Sequence, residues 1–445
     1  MTPGSDRRLA PIDYSGRRAL VMGLGVHGGG AGVARFLAER GATVTVTDLQ
    51  PAERLATSIE GLRGLDIRWV LGEHRDQDFL DVDFLIRNPG VPNTNRFLSV
   101  AKAHGVPIYM EMTLFFMECP PDRVVGITGT KGKTTTTTLL GEILRHAGRD
   151  VVIAGNLRVS ALEQLARIGP QTDVVLELSS FQLEGLDVIQ TSPRAALITN
   201  LMNDHMNRYT SFQAYSEAKR NIFRYQGADG VLALNREDER VRAMESLAPG
   251  YVVWYGAGDD IPGAEHSRLR GRHSQFNMAG AAVLAEALGV EPHTVGEAIA
   301  GFAGVPYRQE LIRELGGIQF INDTAATTPD ATLAALDSLD RPVVLIAGGS
   351  DKELDFAALG VVVRALGADV RAVVLLEGSA TDKVAAALGE HVAGRYASLR
   401  AAVEAAHRLA RPGDAVLLSP GCASFGMFAN EFDRGDQFNE IVRGL

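Results

Sequence analysis

Cysteine is nearly absent from this chain. Only Cys119 and Cys422 occur among 445 residues, too few for a disulfide framework and in keeping with a reducing compartment. Positive charge is short as well: 44 Lys and Arg stand against 54 Asp and Glu, a formal charge of -10. That balance argues against a general nucleic-acid or anionic-membrane binder, so any phosphate site has to be local. No apolar run reaches the roughly 18 residues of a membrane span. The first stretch, MTPGSDRRLAPIDYSGRR, contains no apolar segment of the signal-peptide kind. A cytoplasmic protein is expected. Neither low-complexity tracts nor repeats of about 20 to 50 residues are visible.

What is present is an ordinary globular composition, 46% hydrophobic and 22% charged, with 48 glycines. At about 150 residues per domain the length suggests three domains. The first unit, RRALVMGLGVHGGGAGVARFLAERGATVTVTD, reads strand, glycine turn, helix, strand. Asp48 closes the second strand. Apolar segments near Ile67 to Leu71, Phe84 to Ile86 and Val106 to Tyr109 continue the alternation, which places a Rossmann-like parallel-sheet domain at residues 1–110. A second unit, 111–304, opens with a strand at Val124 to Ile127, a glycine loop and a helix from Thr134 to His146 with Leu139, Leu140, Ile143 and Leu144 on one face. Further strands read at Val151 to Ile153, Val174 to Leu178, Ala195 to Thr199 and Val231 to Leu234, before a helical stretch from Phe276 to Leu288. A third, Rossmann-like unit, 305–445, has strands at Ile318 to Ile321, Val343 to Ala347, Ala372 to Leu376 and Ala415 to Ser419. Ligands gather at the carboxyl ends of parallel strands, so Gly348, Gly378 and Ser419 mark its working edge. The expected fold class is α/β throughout, with a central P-loop ATPase domain on a mainly parallel sheet.

The segment TGTKGKTT, Thr128 to Thr135, carries the chemistry. A strand running through a glycine loop into a helix surrounds a phosphate with backbone N–H groups and the positive end of the helix. Gly129, Thr130, Lys131, Gly132, Lys133, Thr134 and Thr135 are the expected nucleotide contacts. Lys133 can reach the outer phosphates and the Thr134 hydroxyl can bind magnesium. The spacing departs from G-x-x-x-x-G-K-[ST], because Ile127 stands where the first glycine would be. A second glycine turn, GLGVHGGG from Gly23 to Gly30, followed by Asp48, suggests a dinucleotide site, but many α/β turns look the same. A nicotinamide dehydrogenase is the competing class, and it leaves the Thr128–Thr135 loop unexplained.

The blocks GITGTKGKTT, LELSSFQLE, NDHMNRY, the EAK around Lys219, IND at 321–323 and SPGCASF at 419–425 resemble the Mur ligase family over nearly the full chain. LELSSFQLE is similar to the glutamate-adding branch. The resemblance implies an amide ligase that uses ATP and two magnesium ions to activate a carboxylate as an acyl phosphate. Its substrates would be UDP-N-acetylmuramoyl-L-alanine and D-glutamate, and it would act as a monomer without nucleic acid or membrane. Thr134 and Glu177 would hold one magnesium, and His205 a second together with Lys219, whose amine the family carbamylates into an anionic oxygen ligand. Lys133, His205 and Lys219 would be the catalytic set. Asn277 would contact adenine from the start of a helix, and Arg308 and Asp323 the phosphate and ribose.

For the UDP-sugar, the resemblance implies Val26, His27 and Gly28 with Asp48 nearby, Asn88 on the NPG turn, and Asn156, Ser179, Gln182 and Arg208 around the sugar. For glutamate it implies Lys352, Thr327, Ser424 and Phe425. The chain departs from the family pattern in places. Tyr307, Gln309 and Glu310 surround the retained Arg308, Ala325 stands where a lysine is usual, Leu49 and Gln50 follow Asp48, and Glu431 occupies an aromatic position unless Phe432 replaces it. These departures touch the amino acid rather than the reaction, and leave L-glutamate as an alternative.

Overall fold

A computed structural model describes residues 12–25, 28–156, 160–204, 206 and 208–445. Among these residues, seventeen strands form three sheets. The first contains β1 (Arg18–Met22), β2 (Thr43–Asp48), β3 (Ile67–Leu71), β4 (Phe84–Arg87) and β5 (Ile108–Tyr109) in the order β3-β2-β1-β4-β5. Every pair is parallel. The order reverses between β1 and β4. That switch point is where a crevice opens at the carboxyl ends of parallel strands, and the Gly23 and Asn88 turns both leave from it.

The second sheet joins β6 (Val124–Thr128), β7 (Val151–Gly155), β8 (Asp173–Glu177), β9 (Ala195–Ile198), β10 (Val231–Asn235) and β11 (Tyr251–Tyr255) as β11-β10-β9-β6-β8-β7, again wholly parallel. β6, β8 and β9 are buried along their entire length, which is why each reads as a continuous apolar run rather than an alternation. The helix Lys133–His146 covers this sheet through Leu139, Leu140, Ile143 and Leu144, all fully buried. Gly141 on the same helix lets Ile153 approach: a Cβ there would meet the Ile153 Cδ1 at 2.2 Å.

The third sheet has the order β12-β13-β17-β14-β15-β16, from β12 (Glu310–Leu315), β13 (Ile318–Asn322), β14 (Val343–Gly348), β15 (Val370–Leu376), β16 (Val392–Tyr396) and β17 (Ala415–Leu418). Only β12 runs antiparallel, against β13. Its two faces carry separate cores, one around Leu345, Val373 and Leu417, the other around Phe320, Val344 and Phe438.

The fold is α/β as expected, with one sheet in each of the three segments read from the sequence. By packing, Met1–His266 with Phe276–Gly301 form one compact unit, and Ser267–Gln275 with Phe302–Leu445 a second. Three strands escaped the sequence reading. β12 and β16 alternate exposed and half-buried positions, and the edge strand β11 is only partly covered, so none shows the apolar run of an interior strand. Among the described residues, no helix is long and apolar enough to cross a membrane.

The buried face of the helix Lys133–His146 gives a direct test. Leu140 is fully buried, whereas Leu409, at the end of the helix Leu399–Leu409, is 37% exposed. Leu140→Ala is expected to lose about 2–5 kcal/mol in urea unfolding, and Leu409→Ala well under 1 kcal/mol.

Candidate active site

β6 delivers the chain into the loop Gly129–Gly132, whose shape demands glycine at two points. Gly129 has φ 145, and a Cβ there would lie 1.8 Å from the Thr199 Oγ1. Gly132, with φ 84, is the N-cap of the helix Lys133–His146 and supplies no side-chain cap. The first-turn N–H groups thus lack the usual side-chain oxygen, the local condition for an anion site. The carboxyl end of β9 holds the loop's far side: Asn200 O accepts from Thr130 N at 2.9 Å, Asn200 Oδ1 from Lys131 N at 2.9 Å, and Thr199 Oγ1 donates to Lys131 O at 2.6 Å. Lys133 folds back so that its Nζ donates to Thr130 O at 2.9 Å. Thr135 follows, half-buried, on the same helix.

Thr134 Oγ1 donates to Glu177 Oε2 at 2.7 Å, joining the loop to the end of β8. Glu177 is buried, and its other oxygen accepts from Asn156 Nδ2 at 2.7 Å. Lys219, 2% exposed, sends Nζ to Gly129 O at 2.8 Å and lies 4.8 Å from the centre of the Tyr215 ring. Burial, and then the charge of Lys133, hold its amine well below the ordinary lysine range, against the opposing pull of Asp204 and Glu177. The structure therefore brings Lys133, Thr134, Glu177 and Lys219 around one loop. His205 lies outside the described residues, as do Val26 and His27. Among the described residues no group of three or more His, Cys, Asp and Glu is arranged to hold a metal.

Several residues have local partners that the sequence did not announce. Asn277 sits in the second turn of the helix Arg272–Ala287 rather than at its start, because that helix begins before Phe276. Its Oδ1 accepts from Thr136 Oγ1 at 3.3 Å, and a Cβ on Gly132 would meet that oxygen at 2.3 Å. Ser179 and Gln182 form a capping box on the helix Ser180–Val188, with Ser179 Oγ accepting from Gln182 N at 3.2 Å and Gln182 Oε1 from Ser179 N at 3.0 Å. Tyr215, one turn before Lys219, was missed; its hydroxyl lies 2.9 Å from Thr130 Oγ1. The i, i+4 spacing was the available signal.

At the first sheet's switch point, Asp48 Oδ2 accepts from Leu24 N at 2.9 Å and Gly25 N at 3.1 Å, and Oδ1 from Gln50 N at 2.9 Å. This carboxylate braces the glycine turn. Gly28, φ 88, caps the helix Gly29–Glu39 without a side-chain bond. Asn88 Nδ2 donates to Gly23 O at 3.2 Å, and its Oδ1 accepts from Gly90 N at 2.9 Å. Arg208 donates to Val91 O at 2.8 Å and stacks over Phe181.

In the second unit, Lys352 Nζ donates to Thr327 Oγ1 at 3.3 Å. The turn after β14 pairs with the loop after β17 through Ser350 N to Ala423 O at 2.9 Å and Ala423 N to Ser350 O at 3.1 Å. Buried Ser424 and exposed Phe425 follow on that loop. Arg434, fully buried, was missed; it ties the segment after β13 to the loop after β17, with Nε on Thr324 Oγ1 at 2.9 Å and a longer contact to Cys422 O. Phe432 packs edge-on against Tyr307, 5.2 Å between centroids. Asp323 accepts from Ser419 Oγ at 2.8 Å and Gln309 N at 3.2 Å. Its burial outweighs these bonds and the nearby Arg308 charge, and pushes its carboxyl up to about 7.

An α/β protein with a phosphate loop, a hydroxyl–carboxylate pair and a buried lysine belongs among nucleotide-dependent transferases and ligases. Family models narrow the class: residues 17–110 match the Mur ligase MurD-like N-terminal domain, 127–285 the Mur ligase middle domain, and 307–422 the Mur ligase glutamate ligase domain. The chain is 49% identical to a UDP-N-acetylmuramoylalanine--D-glutamate ligase of Roseiflexus sp., over 98% of this chain and 100% of that one. It is 36% identical to the enzyme of the same name from Geotalea daltonii, over 98% and 99%. Among solved structures, the UDP-N-acetylmuramate-alanine ligase MurC of Thermotoga maritima shares the fold, with a TM-score of 0.60 at 20% identity, covering 96% of this chain and 99% of that one. This chain belongs to the Mur ligase family.

The raised Asp323 carboxyl sets a pH dependence. Folding costs nothing through this group below about pH 4, where it is protonated in both states, and the penalty grows until it is complete above about pH 7. Asp323→Asn is therefore expected to raise Tm relative to the parent at pH 8 and to narrow that gap at pH 5, as thermal unfolding at both values would reveal.

Proposed function

We propose that this chain is an ATP-dependent, ADP-forming ligase that adds D-glutamate to UDP-N-acetylmuramoyl-L-alanine in peptidoglycan precursor synthesis, acting as a monomer in the cytoplasm. The observation that carries the reading is the convergence of Lys133, Thr134, Glu177 and Lys219 on the Gly129–Gly132 loop. It occurs in a chain similar from end to end to enzymes of that name. Residues 1–110 would take the UDP-sugar, 111–304 ATP and 305–445 glutamate. The dehydrogenase alternative finds no support among the family models and relatives that the chain matches.

In the reaction, an oxygen of the alanyl carboxylate attacks the γ-phosphorus of ATP, and the bond to the bridging oxygen breaks to release ADP. The amine of glutamate then attacks the acyl carbon, phosphate departs, and the amine loses a proton as the amide forms. Loop amides and Lys133 hold the phosphates in line and take up developing charge. Thr134 and Glu177 fit magnesium, since a hydroxyl and a carboxylate 2.7 Å apart offer the hard oxygens it prefers. Magnesium bound there, and at His205 with carbamylated Lys219, would neutralise the transferring phosphoryl group. Carbamylation needs a neutral amine, whose lone pair adds to the carbon of carbon dioxide as a proton leaves, and the buried setting of Lys219 favours that form. Lys352 and Thr327 offer a cation and a hydroxyl to the acidic side chain of glutamate. Asn88, Asn156, Gln182 and Arg208 border the sugar-diphosphate side. The parts of Asn277, Arg308 and Asp323 in nucleotide binding rest on the family likeness.

The deciding assay is phosphate release from ATP with magnesium. Release should require both UDP-N-acetylmuramoyl-L-alanine and D-glutamate; equal turnover with L-glutamate would overturn the stereochemical assignment, and no release with either isomer the reaction itself.

Lys219→Ala is expected to lose most activity, by about 100-fold or more, as removal of a charge-stabilising group does. Short carboxylic acids added to that variant should restore part of it, since a free carboxylate can replace the missing carbamate oxygens. Lack of rescue at any concentration would count against carbamylation.

A further inference from the structure

The block LELSSFQLE ends in Glu184, for which the reaction above has no task. Its carboxylate is a junction. Oε2 accepts from Arg87 Nη2 at 2.7 Å and from Asn93 Nδ2 at 2.8 Å, while Oε1 accepts from the Tyr209 hydroxyl at 2.9 Å. The pair with Arg87 is well covered, with side chains 3% and 16% exposed. Arg87 Nη1 and Arg208 Nη2 both donate to the same carbonyl, Val91 O, each at 2.8 Å. Two guanidinium groups thus grip one peptide group with a single carboxylate between them, so Glu184 offsets their mutual repulsion as well as supplying acceptors.

The elements joined in this way are those that the proposed reaction has to align. Val91 and Asn93 belong to the turn that begins at Asn88 at the first sheet's switch point. Arg208 and Tyr209 follow Asp204 in NDHMNRY. Tyr209 continues inward: its ring stacks on Phe181, 5.7 Å between centroids, and meets Tyr215 edge-on at 5.4 Å. Tyr215 in turn reaches Thr130 of the phosphate loop. The connection therefore runs without a gap from the sugar-diphosphate turn to the loop that takes ATP.

We propose that Glu184 is a positioning residue for the UDP-sugar substrate: it fixes the Asn88–Asn93 turn against the Arg208–Tyr209 segment, and so sets where the substrate's carboxylate meets the phosphate loop. This rests on the ligase reading above. None of its members belongs to the glutamate-binding set, so its effect should fall on the UDP-sugar rather than on glutamate.

Steady-state kinetics with each substrate varied in turn tests this, on Glu184→Gln, Asn93→Ala and a control, Ser192→Ala. Ser192 Oγ donates to Asn221 O and accepts from Tyr225 N, and neither partner belongs to the junction. Glu184→Gln and Asn93→Ala are each expected to raise KM for UDP-N-acetylmuramoyl-L-alanine by about tenfold, the worth of a charge-assisted hydrogen bond, with KM for D-glutamate within about twofold and no such split for Ser192→Ala. Adding Arg87→Gln to Glu184→Gln should recover part of the loss, because it removes the uncompensated cation. Asn93 is exposed, so its variant folds even where Glu184→Gln does not. An unchanged KM for the UDP-sugar, or an equal rise for all substrates, would overturn the proposal. Wild-type enzyme without phosphate release would overturn the ligase reading instead, before any variant is compared.

Discussion

The rest of the molecule is arranged around one bare helix end. At Gly132 the chain enters the helix Lys133–His146 through a left-handed residue that brings no side chain to cap it. A cap here would have been stabilising, typically by about 1 kcal/mol. Its omission is matched by tight restraint of everything nearby. Thr199 and Asn200 pin the loop from β9, Asn277 fills the space a Cβ would need, and Lys219 ties the Gly129 carbonyl from beneath. The loop is rigid because its neighbours leave no alternative path, and a rigid cradle for phosphate is what charge stabilisation in a transition state requires.

That arrangement explains how a chain of charge -10 can be built for anionic ligands. On the proposed reading, attraction would come from oriented backbone dipoles at two glycine-capped helix ends, after Gly28 and after Gly132, and from a handful of cations at fixed places. The acids nearby are occupied rather than free to repel. Asp48 is bound by three amides, and Glu177 by a hydroxyl and an amide side chain. Net charge is a property of the whole surface, whereas phosphate recognition here is a matter of local geometry.

Interior strands and the phosphate loop were legible in the sequence because burial on both faces writes a continuous apolar run, and because glycine spacing followed by Lys-Thr admits few structures. The edge strands β11, β12 and β16 were not, since half-covered strands carry no such run. Residue roles were harder than elements. Ser179 and Gln182, read as ligand contacts, also form a capping box, and Asp48, read as a nucleotide contact, also braces its own turn. In each case a polar side chain finds its partner a few residues away or across a switch point, which spacing alone does not disclose. Glu184 and Arg434 were silent for the converse reason. Their significance lies in what the fold sets beside them, and nothing in their own neighbourhoods announces it.

The antiparallel hairpin at the border of the third sheet has a consequence for life at high concentration. β12 carries Glu310, Arg313 and Glu314 along the outermost strand, where unsatisfied peptide groups would otherwise offer a template to another copy. A charged margin that ends the sheet discourages strand-by-strand growth into aggregates. Trimming the hairpin to shorten the protein would leave the apolar β13 at the rim and trade solubility for size.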